Sequence, residues 1–258
     1  MIRVSFDRAG LFALDGRVAL VTGGSSGLGE AVVRALAGWG ASVALLARRY
    51  DRLAAVAADV GGLAVQCDLR DREDIERGVR LAATELGPPQ ILVNVAGAIT
   101  GVHPAESEPV DSIERTLSLN LLGPYFLCQQ VFPHMRAAGR GAIVNVSSIS
   151  GLVGIPGIPQ GSYAASKAAL SGLTSELAIQ WARHSIRINT IAAGFFRSDM
   201  TRAMYEDEKT ADWLHRNTPL PYEGRVEDFV GAVLWLVSDA GRYVTGQTIA
   251  VDGGWTAR

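Results

Sequence analysis

Seven short apolar runs rich in β-branched residues punctuate the chain: RVALVT (17–22), SVALLA (42–47), LAVQC (63–67), ILVNV (91–95), AIVNVS (142–147), IRINTIA (186–192) and QTIAV (247–251). Each is short enough for a buried strand. Between them lie longer segments in which apolar residues recur at helical spacing: Glu30–Trp39, Arg52–Asp59, Arg72–Leu86, Val110–Ala138 and Tyr163–Arg183. Strand–helix alternation of this kind predicts parallel strands joined by right-handed crossovers. The expected fold is α/β: a doubly wound, seven-stranded parallel sheet with helices on both faces. No repeat, low-complexity block or linker interrupts residues 1–258, so one domain is expected, with residues 1–11 as an N-terminal extension.

Polar residues and glycines fall where the apolar runs end. Gly23 follows the first run, Arg48 the second, Asp68 the third, Asn94 ends the fourth, Ser148 follows the fifth and Gly194 the sixth. In an open parallel sheet, ligands bind in the crevice beyond the carboxyl ends of the strands. The pattern therefore predicts a ligand on that edge.

Composition narrows the class. Hydrophobic residues at 48% and charged residues at 19% describe a globular protein with a sizeable interior. With 24 basic and 26 acidic side chains there is no net field to gather nucleic acid or an anionic membrane. The N-terminal segment MIRVSFDRAGLFALDG lacks the apolar core of a signal peptide, and no stretch approaches the length of a membrane span. Cys67 and Cys128 have no C-x-x-C spacing and lie in apolar runs, so they read as buried thiols in a reducing compartment. A cytoplasmic location is the expectation.

The stretch TGGSSGLGE (22–30) joins the first strand to a helix. Glycines there allow a tight turn and close approach of a pyrophosphate to the helix N-terminus, as in dinucleotide-binding Rossmann folds. After the second strand an acidic residue would mark NAD through the ribose 2′-hydroxyl. Here Ala47 holds that place, and Arg48 and Arg49 follow. An arginine can pair with a 2′-phosphate, so NADPH is favoured over NADH, with Arg48 the first candidate. Two solvated arginines opening a helix is the alternative. Ser25 and Ser26 offer hydroxyl donors. Asp68 could accept from an adenine amino group or merely cap the next helix.

Asn120 lies in the apolar helical run LSLNLLGPYFLC. Four residues on, Pro124 has no N–H for the carbonyl of residue 120, which predicts a kink and an ordered water there. Ser148 ends the fifth strand, where its hydroxyl can meet a carbonyl oxygen, and Ser150 is a further candidate. Ser147 alternates to the other face. In GSYAASKAAL (161–170), Tyr163 and Lys167 are one helical turn apart and share a face. An ammonium beside a phenol lowers its pKa, as a general acid–base group near neutrality requires. A hydrolase reading lacks a nucleophile elbow, and the four histidines stand in no triad or metal spacing.

Taken in order, these residues resemble the short-chain dehydrogenase/reductase family, in its branch of 3-oxoacyl reductase-like chains of about this length, over residues 12–256. TGGSSGLG is similar to its cofactor loop, NVAG (94–97) to its N-N-A-G segment, and VTGQTIAVDGG (244–254) to its C-terminal signature. Asn120, Ser148, Tyr163 and Lys167 match its catalytic set. The resemblance implies that Tyr163 exchanges the proton of the carbonyl or alcohol oxygen. Lys167 would hold the nicotinamide ribose and lower the Tyr163 pKa, Ser148 would orient the carbonyl, and Asn120 would hold a relay water. It also implies cofactor contacts at Gly23, Ser25, Ser26, Leu28, Arg48, Arg49, Asp68, Leu69, Asn94, Ala96, Gly97, Tyr163, Lys167, Gly194, Phe196 and Ser198. Departures are Val95 for the second Asn, Ala193 for the Pro before Gly194, Ser198 for a Thr, and a longer Ser148–Tyr163 connection, ISGLVGIPGIPQGS.

The resemblance implies an NADPH-dependent carbonyl reductase acting on a ketone or secondary alcohol. A 3-oxoacyl-carrier-protein reductase, an NAD-dependent sugar or polyol dehydrogenase and a non-catalytic dinucleotide-sensing regulator are the alternatives. Residues 195–217, with Phe195, Phe196, Met200, Met204, Tyr205 and Trp213, would form a substrate lid. They hold no arginine clamp, which favours a small to medium substrate of apolar character. The family's habit of pairing its long helices implies a homotetramer.

Overall fold

The computed structural model describes residues 10–198 and 201–257. All seven predicted strands form: β1 (Val18–Thr22), β2 (Ser42–Ala47), β3 (Leu63–Gln66), β4 (Ile91–Asn94), β5 (Gly141–Ser148), β6 (Ile186–Ala193) and β7 (Thr248–Val251). They make one parallel sheet in the order β3-β2-β1-β4-β5-β6-β7. The chain winds outward from β1 to β3, then restarts at β4 on the other side of β1. That reversal opens a crevice between the ends of β1 and β4.

Alternation along the strands builds two cores. Ala19 and Val21 of β1, Val43 and Leu45 of β2, and Ile91 and Val93 of β4 face one side. There they meet α1 (Gly27–Gly38), α2 (Tyr50–Val60) and α9 (Val226–Val237). Val18, Leu20, Ala44, Leu46 and Leu92 face the other side. They meet α3 (Arg72–Leu86), α5 (Gly123–Ala138) and α6 (Gly161–Trp181). Covering both faces of a parallel sheet is what makes its strands read as continuous apolar runs.

Four differences from the sequence expectation matter for the site. The single helix expected over Val110–Ala138 is divided: α4 (Val110–Leu117) passes through a π-helical turn at Ser118–Leu122 into α5. This is the form taken by the kink expected at Asn120, with Pro124 in the first turn of α5. Helix α9, which the pattern did not predict, begins where the Asp228 carboxylate accepts the Arg225 N–H at 2.8 Å. Residues 195–217 contain two further helices, α7 (Arg202–Glu206) and α8 (Glu208–Asn217); Met200 and most of the N-terminal extension lie outside the described residues. Finally, α1 begins at Gly27, so Gly29 is already in its first turn.

Both cysteines are buried and unpaired with each other, and burial pushes each thiol up to about 12. Among the described residues no helix is long and apolar enough to cross a membrane.

Candidate active site

A cleft of about 700 Å³ runs along the carboxyl edge of the sheet, lined from the ends of β1, β2, β3, β4, β5 and β6. At its β1 end the chain turns through Gly23, in the left-handed region at φ 71°. A Cβ on Gly29 would stand 2.1 Å from the carbonyl oxygen of Gly23, so only glycine lets the helix start so close to the strand. The N-cap Ser26 makes no side-chain bond to the first turn of α1. Its amides therefore face the cleft without a side-chain cap, in the arrangement that attracts a phosphate.

Ser25, Ser26, Leu28, Arg48, Arg49, Leu69, Ala96, Gly97, Gly194, Phe196 and Ser198 line the same cleft. Arg49 stands 3.5 Å from the Ser26 hydroxyl across the mouth of the glycine turn. Ala96 donates its N–H to Thr22 Oγ1 at 3.0 Å, locking the ends of β1 and β4 together. Ser198 packs against Gly27, its Cβ 3.5 Å from where a Gly27 Cβ would stand. Phe196 is buried against Phe229 and gives the cleft a wall rather than a polar group. These features fit a dinucleotide: a glycine cradle, uncapped helix amides and two arginines where a 2′-phosphate would lie.

Two expected cofactor contacts have protein partners in this structure. The Asp68 carboxylate is held by the Arg70 guanidinium and backbone N–H, which keep it below the usual carboxylate range. It does not line the cleft, because Arg70, two residues on, claims its oxygens. Asn94 turns its side chain into the sheet, where Nδ2 donates to Asn145 Oδ1 at 2.8 Å and Oδ1 has no partner among the described residues. Asn145 then donates to Thr174, which shares a hydrogen bond with Thr190. This buried polar line ties β4, β5, α6 and β6 beneath the site.

The four residues of the expected catalytic set converge at the β4–β5 part of the cleft. Helix α6 buries Tyr163, Ser166, Lys167, Leu170 and Thr174 on one stripe, polar at its start and apolar further on. Lys167 is buried, with Nζ donating to the Val146 carbonyl at 2.8 Å and lying 5.7 Å from the Tyr163 ring centre. Burial alone lowers its pKa to about 8. The Ser148 hydroxyl bonds to Ser150, donating to its Oγ at 3.3 Å and accepting its N–H at 3.1 Å, and lies near enough to the Tyr163 phenol to favour its ionised form.

The expectation that Lys167 draws the phenol down is corrected. Burial holds the Tyr163 pKa above its ordinary value, and the nearby Ser148 hydroxyl opposes that only in part. The lysine is aimed at a carbonyl and carries its own desolvation cost. The result is a phenol that stays protonated through neutrality.

Asn120 is fully buried and lies beneath the cleft wall. Its Oδ1 accepts from the Ala98 N–H, and its Nδ2 donates to the Ala98 carbonyl and to Ser166 Oγ. Ser166 donates in turn to the Tyr163 carbonyl at 2.7 Å. Ser166 was not singled out from the sequence, although its place three residues after Tyr163 puts it on the same buried stripe. Gly97 closes the group: a Cβ there would stand 2.9 Å from Lys167 Nζ and 3.3 Å from Asn120 Oδ1.

Opposite the arginines, Ile99, Val102, Ile149, Ile158, Phe195 and Met204 make an apolar chamber beside Ser148 and Tyr163. Behind it Phe195, Trp213 and Trp255 pack ring to ring.

The family model described as enoyl-(acyl carrier protein) reductase matches residues 23–256. Gluconate 5-dehydrogenase of Gluconobacter oxydans is 38% identical over 251 residues, 95% of this chain and 97% of that protein. The 3-oxoacyl-[acyl-carrier-protein] reductase of Thermotoga maritima is 35% identical over 246 residues, 93% of this chain and 98% of that one. Among solved structures, a gluconate 5-dehydrogenase from Burkholderia cenocepacia in complex with NADP and tartrate matches with a TM-score of 0.90 and 33% identity, covering 97% of this chain and 99% of the other.

Proposed function

The chain belongs to the short-chain dehydrogenase/reductase family and is an oxidoreductase of CH–OH and C=O groups; from that premise we propose that it is an NADPH-dependent carbonyl reductase with Tyr163 as the acid–base group. The observation that carries this reading is the grouping of half-buried Ser148 with buried Tyr163 and Lys167 in the dinucleotide-shaped cleft.

The nicotinamide cofactor, when bound, supplies or takes up the hydride. The uncapped amides of α1 would hold its pyrophosphate, and Arg48, Arg49 and Ser26 a 2′-phosphate. The chain's own residues handle the oxygen. Ser148 orients the substrate carbonyl by a hydrogen bond. Tyr163, kept protonated by its burial, delivers its phenolic proton to that oxygen as negative charge develops. Lys167 places a positive charge 5.7 Å from the ring centre, which stabilises the phenolate left behind. Asn120 acts through its neighbours: by holding the Ala98 backbone and the Ser166 hydroxyl it fixes the wall of the cleft and the start of α6. A dinucleotide-sensing regulator would have no use for a buried proton donor aimed at a substrate chamber.

Reduction as the working direction follows from the protonated phenol and from the arginines after β2. The same reading includes a homotetramer, supported by apolar side chains left on the surface of the long helices, Val110 on α4 and Ile179 on α6. Light scattering tests the assembly, and a monomer would remove it.

The chemistry is tested with Tyr163→Phe, which keeps the ring and the packing. The variant should bind NADPH as the native protein does, by fluorescence titration, and lose about 10²–10⁴-fold in ketone reduction. Unchanged turnover would overturn the role of Tyr163.

A further inference from the structure

The first turn of α6 carries Tyr163 and is capped from a distant part of the chain. The helix opens with Gly161 and Ser162, and its own N-cap residue, Gln160, makes no side-chain bond to it. The amides of a first turn have no intrahelical acceptor, and glycine is a poor helix former. Glu108, 54 residues before Ser162, supplies the missing acceptor. Its Oε2 accepts the Ser162 N–H at 3.3 Å, and its Oε1 accepts the Ser162 hydroxyl.

Glu108 is itself held in place. Pro109 follows it and confines its backbone to an extended conformation, at φ −65° and ψ 120°. The loop between β4 and α4 is strapped down along its length. Ala98 is paired with Asn120, Thr100 donates to the Ser112 carbonyl at 2.9 Å, and His103 and Gln160 form a backbone bridge. The same loop carries Ile99 and Val102, which wall the substrate chamber. Glu108 thus joins the chamber wall to the helix that bears the proton donor.

The next turn of α6 has anchors of its own. Asn120 holds Ser166, Lys167 Nζ donates to the Val146 carbonyl, and the Lys167 carbonyl accepts from Ser147 Oγ at 2.7 Å. A Cβ on Gly151 would stand 2.8 Å from the backbone of Lys167 and Ala168, so the turn after β5 lies directly on α6 there. Ser166 grips Tyr163 from its carbonyl side; Glu108, through Ser162, grips it from the N-terminal side. Loss of the Glu108 bonds therefore loosens the turn that bears Tyr163 and leaves Lys167 and the glycine cradle in place.

We propose that Glu108 is a positioning residue for the reaction: from the loop after β4 it caps α6 and fixes the Tyr163 phenol where the substrate oxygen arrives. Glu108 takes no proton and touches no reacting atom; it acts through Ser162. The role rests on the carbonyl-reductase reading above. A misplacement of about 1 Å in a catalytic group costs on the order of 10²-fold in rate, which sets the scale of the effect.

The test compares Glu108→Ala, Glu108→Gln and Ser162→Ala with the native protein. Amide hydrogen exchange, NADPH binding by fluorescence, and NADPH-dependent reduction of cyclohexanone, ethyl acetoacetate and 5-dehydrogluconate are measured for each. In Glu108→Ala, exchange should quicken about fivefold to thirtyfold over residues 161–165, the scale of a lost cap. It should keep its native rate in β5 and over residues 167–181. kcat should fall about 10–100-fold while NADPH affinity and the ketone KM stay within about twofold, a split that general destabilisation does not produce. Glu108→Gln keeps an oxygen for the Ser162 N–H and gains a donor for its hydroxyl, so kcat should recover to within about threefold of native. Ser162→Ala, which leaves the N–H bond, should lose less than Glu108→Ala. Native exchange or native kcat in Glu108→Ala overturns the role. Exchange quickened throughout the sheet also overturns it, as does a Glu108→Gln variant as slow as Glu108→Ala. These failures leave the carbonyl-reductase reading standing; a native protein that reduces none of the three ketones overturns that reading and the role of Glu108 with it.

Discussion

Asn120 and Ala98 exchange two hydrogen bonds of 3.0 Å each, one from the Ala98 N–H to the Asn120 side chain and one back to the Ala98 carbonyl. This pairing, made possible by the π-helical turn, joins the helix layer to the loop after β4 and sets the floor under Gly97 and Lys167. Replacing Asn120 with Ala leaves buried groups on both sides unpaired. The expected cost is about 2–3 kcal/mol, a fall in melting temperature of roughly 5–10 °C. Turnover should fall about 10–100-fold at a temperature where the variant is still folded. Thermal melts and steady-state kinetics check both; an unaltered rate would detach Asn120 from the site.

Gly29→Ala should be far more damaging than its size suggests. Its Cβ would lie 2.1 Å from the Gly23 carbonyl oxygen, and backbone rather than a flexible side chain must give way. We expect about 1–3 kcal/mol of destabilisation and loss of measurable NADPH binding in a fluorescence titration. Native-like affinity would mean that the glycine turn does not hold the cofactor.

Arg48→Ala and Arg49→Ala separate the two nicotinamide cofactors. Each should weaken NADPH by about tenfold to a hundredfold, the scale of a charge-assisted hydrogen bond, and leave NADH unchanged. Equal weakening of both cofactors would show that the arginines act on structure and not on a 2′-phosphate.

Lys167 gives a pH signature. Its pKa in the folded protein is about 8, below the ordinary 10.5. Below pH 8 both folded and unfolded chains carry the charge, and the folded state bears the full cost of burying it. Between pH 8 and 10.5 the folded state binds fewer protons, so this cost is relieved as pH rises. The stability of Lys167→Met relative to the native protein should therefore fall between pH 7 and 10.5, by something on the order of 3 kcal/mol. Denaturant unfolding of both proteins at the two pH values measures it. A pH-independent difference would place the ammonium in contact with water.

The strands were legible because a fully buried parallel strand must be apolar along its length and must end where the chain turns. The polar residues at those ends were legible for the same reason. Helix α9 was not: VEDFVGAVLWLV is apolar on nearly every side, and burial of Phe229, Val233, Leu234, Leu236 and Val237 against the sheet and α1 decides its state. Pro124 announced an irregularity at Asn120 but not its form, because the π turn is completed by a partner on a different element. At Asp68 the spacing did not show that Arg70 would take up its oxygens. At Asn94 the neighbour in register, Asn145, supplies an interior partner that spacing along the chain does not reveal.

By itself the sequence determined the strand–helix alternation, the carboxyl edge as the place of binding, and the residue types assembled there, since these follow from local periodicity and turn chemistry. Only the tertiary structure decided which polar side chains face the cleft and which are used to hold it together. It also decided that Tyr163 stays protonated and that Glu108 reaches the start of α6. Those outcomes depend on burial and on partners brought from distant parts of the chain, and neither is encoded in the spacing of any one segment.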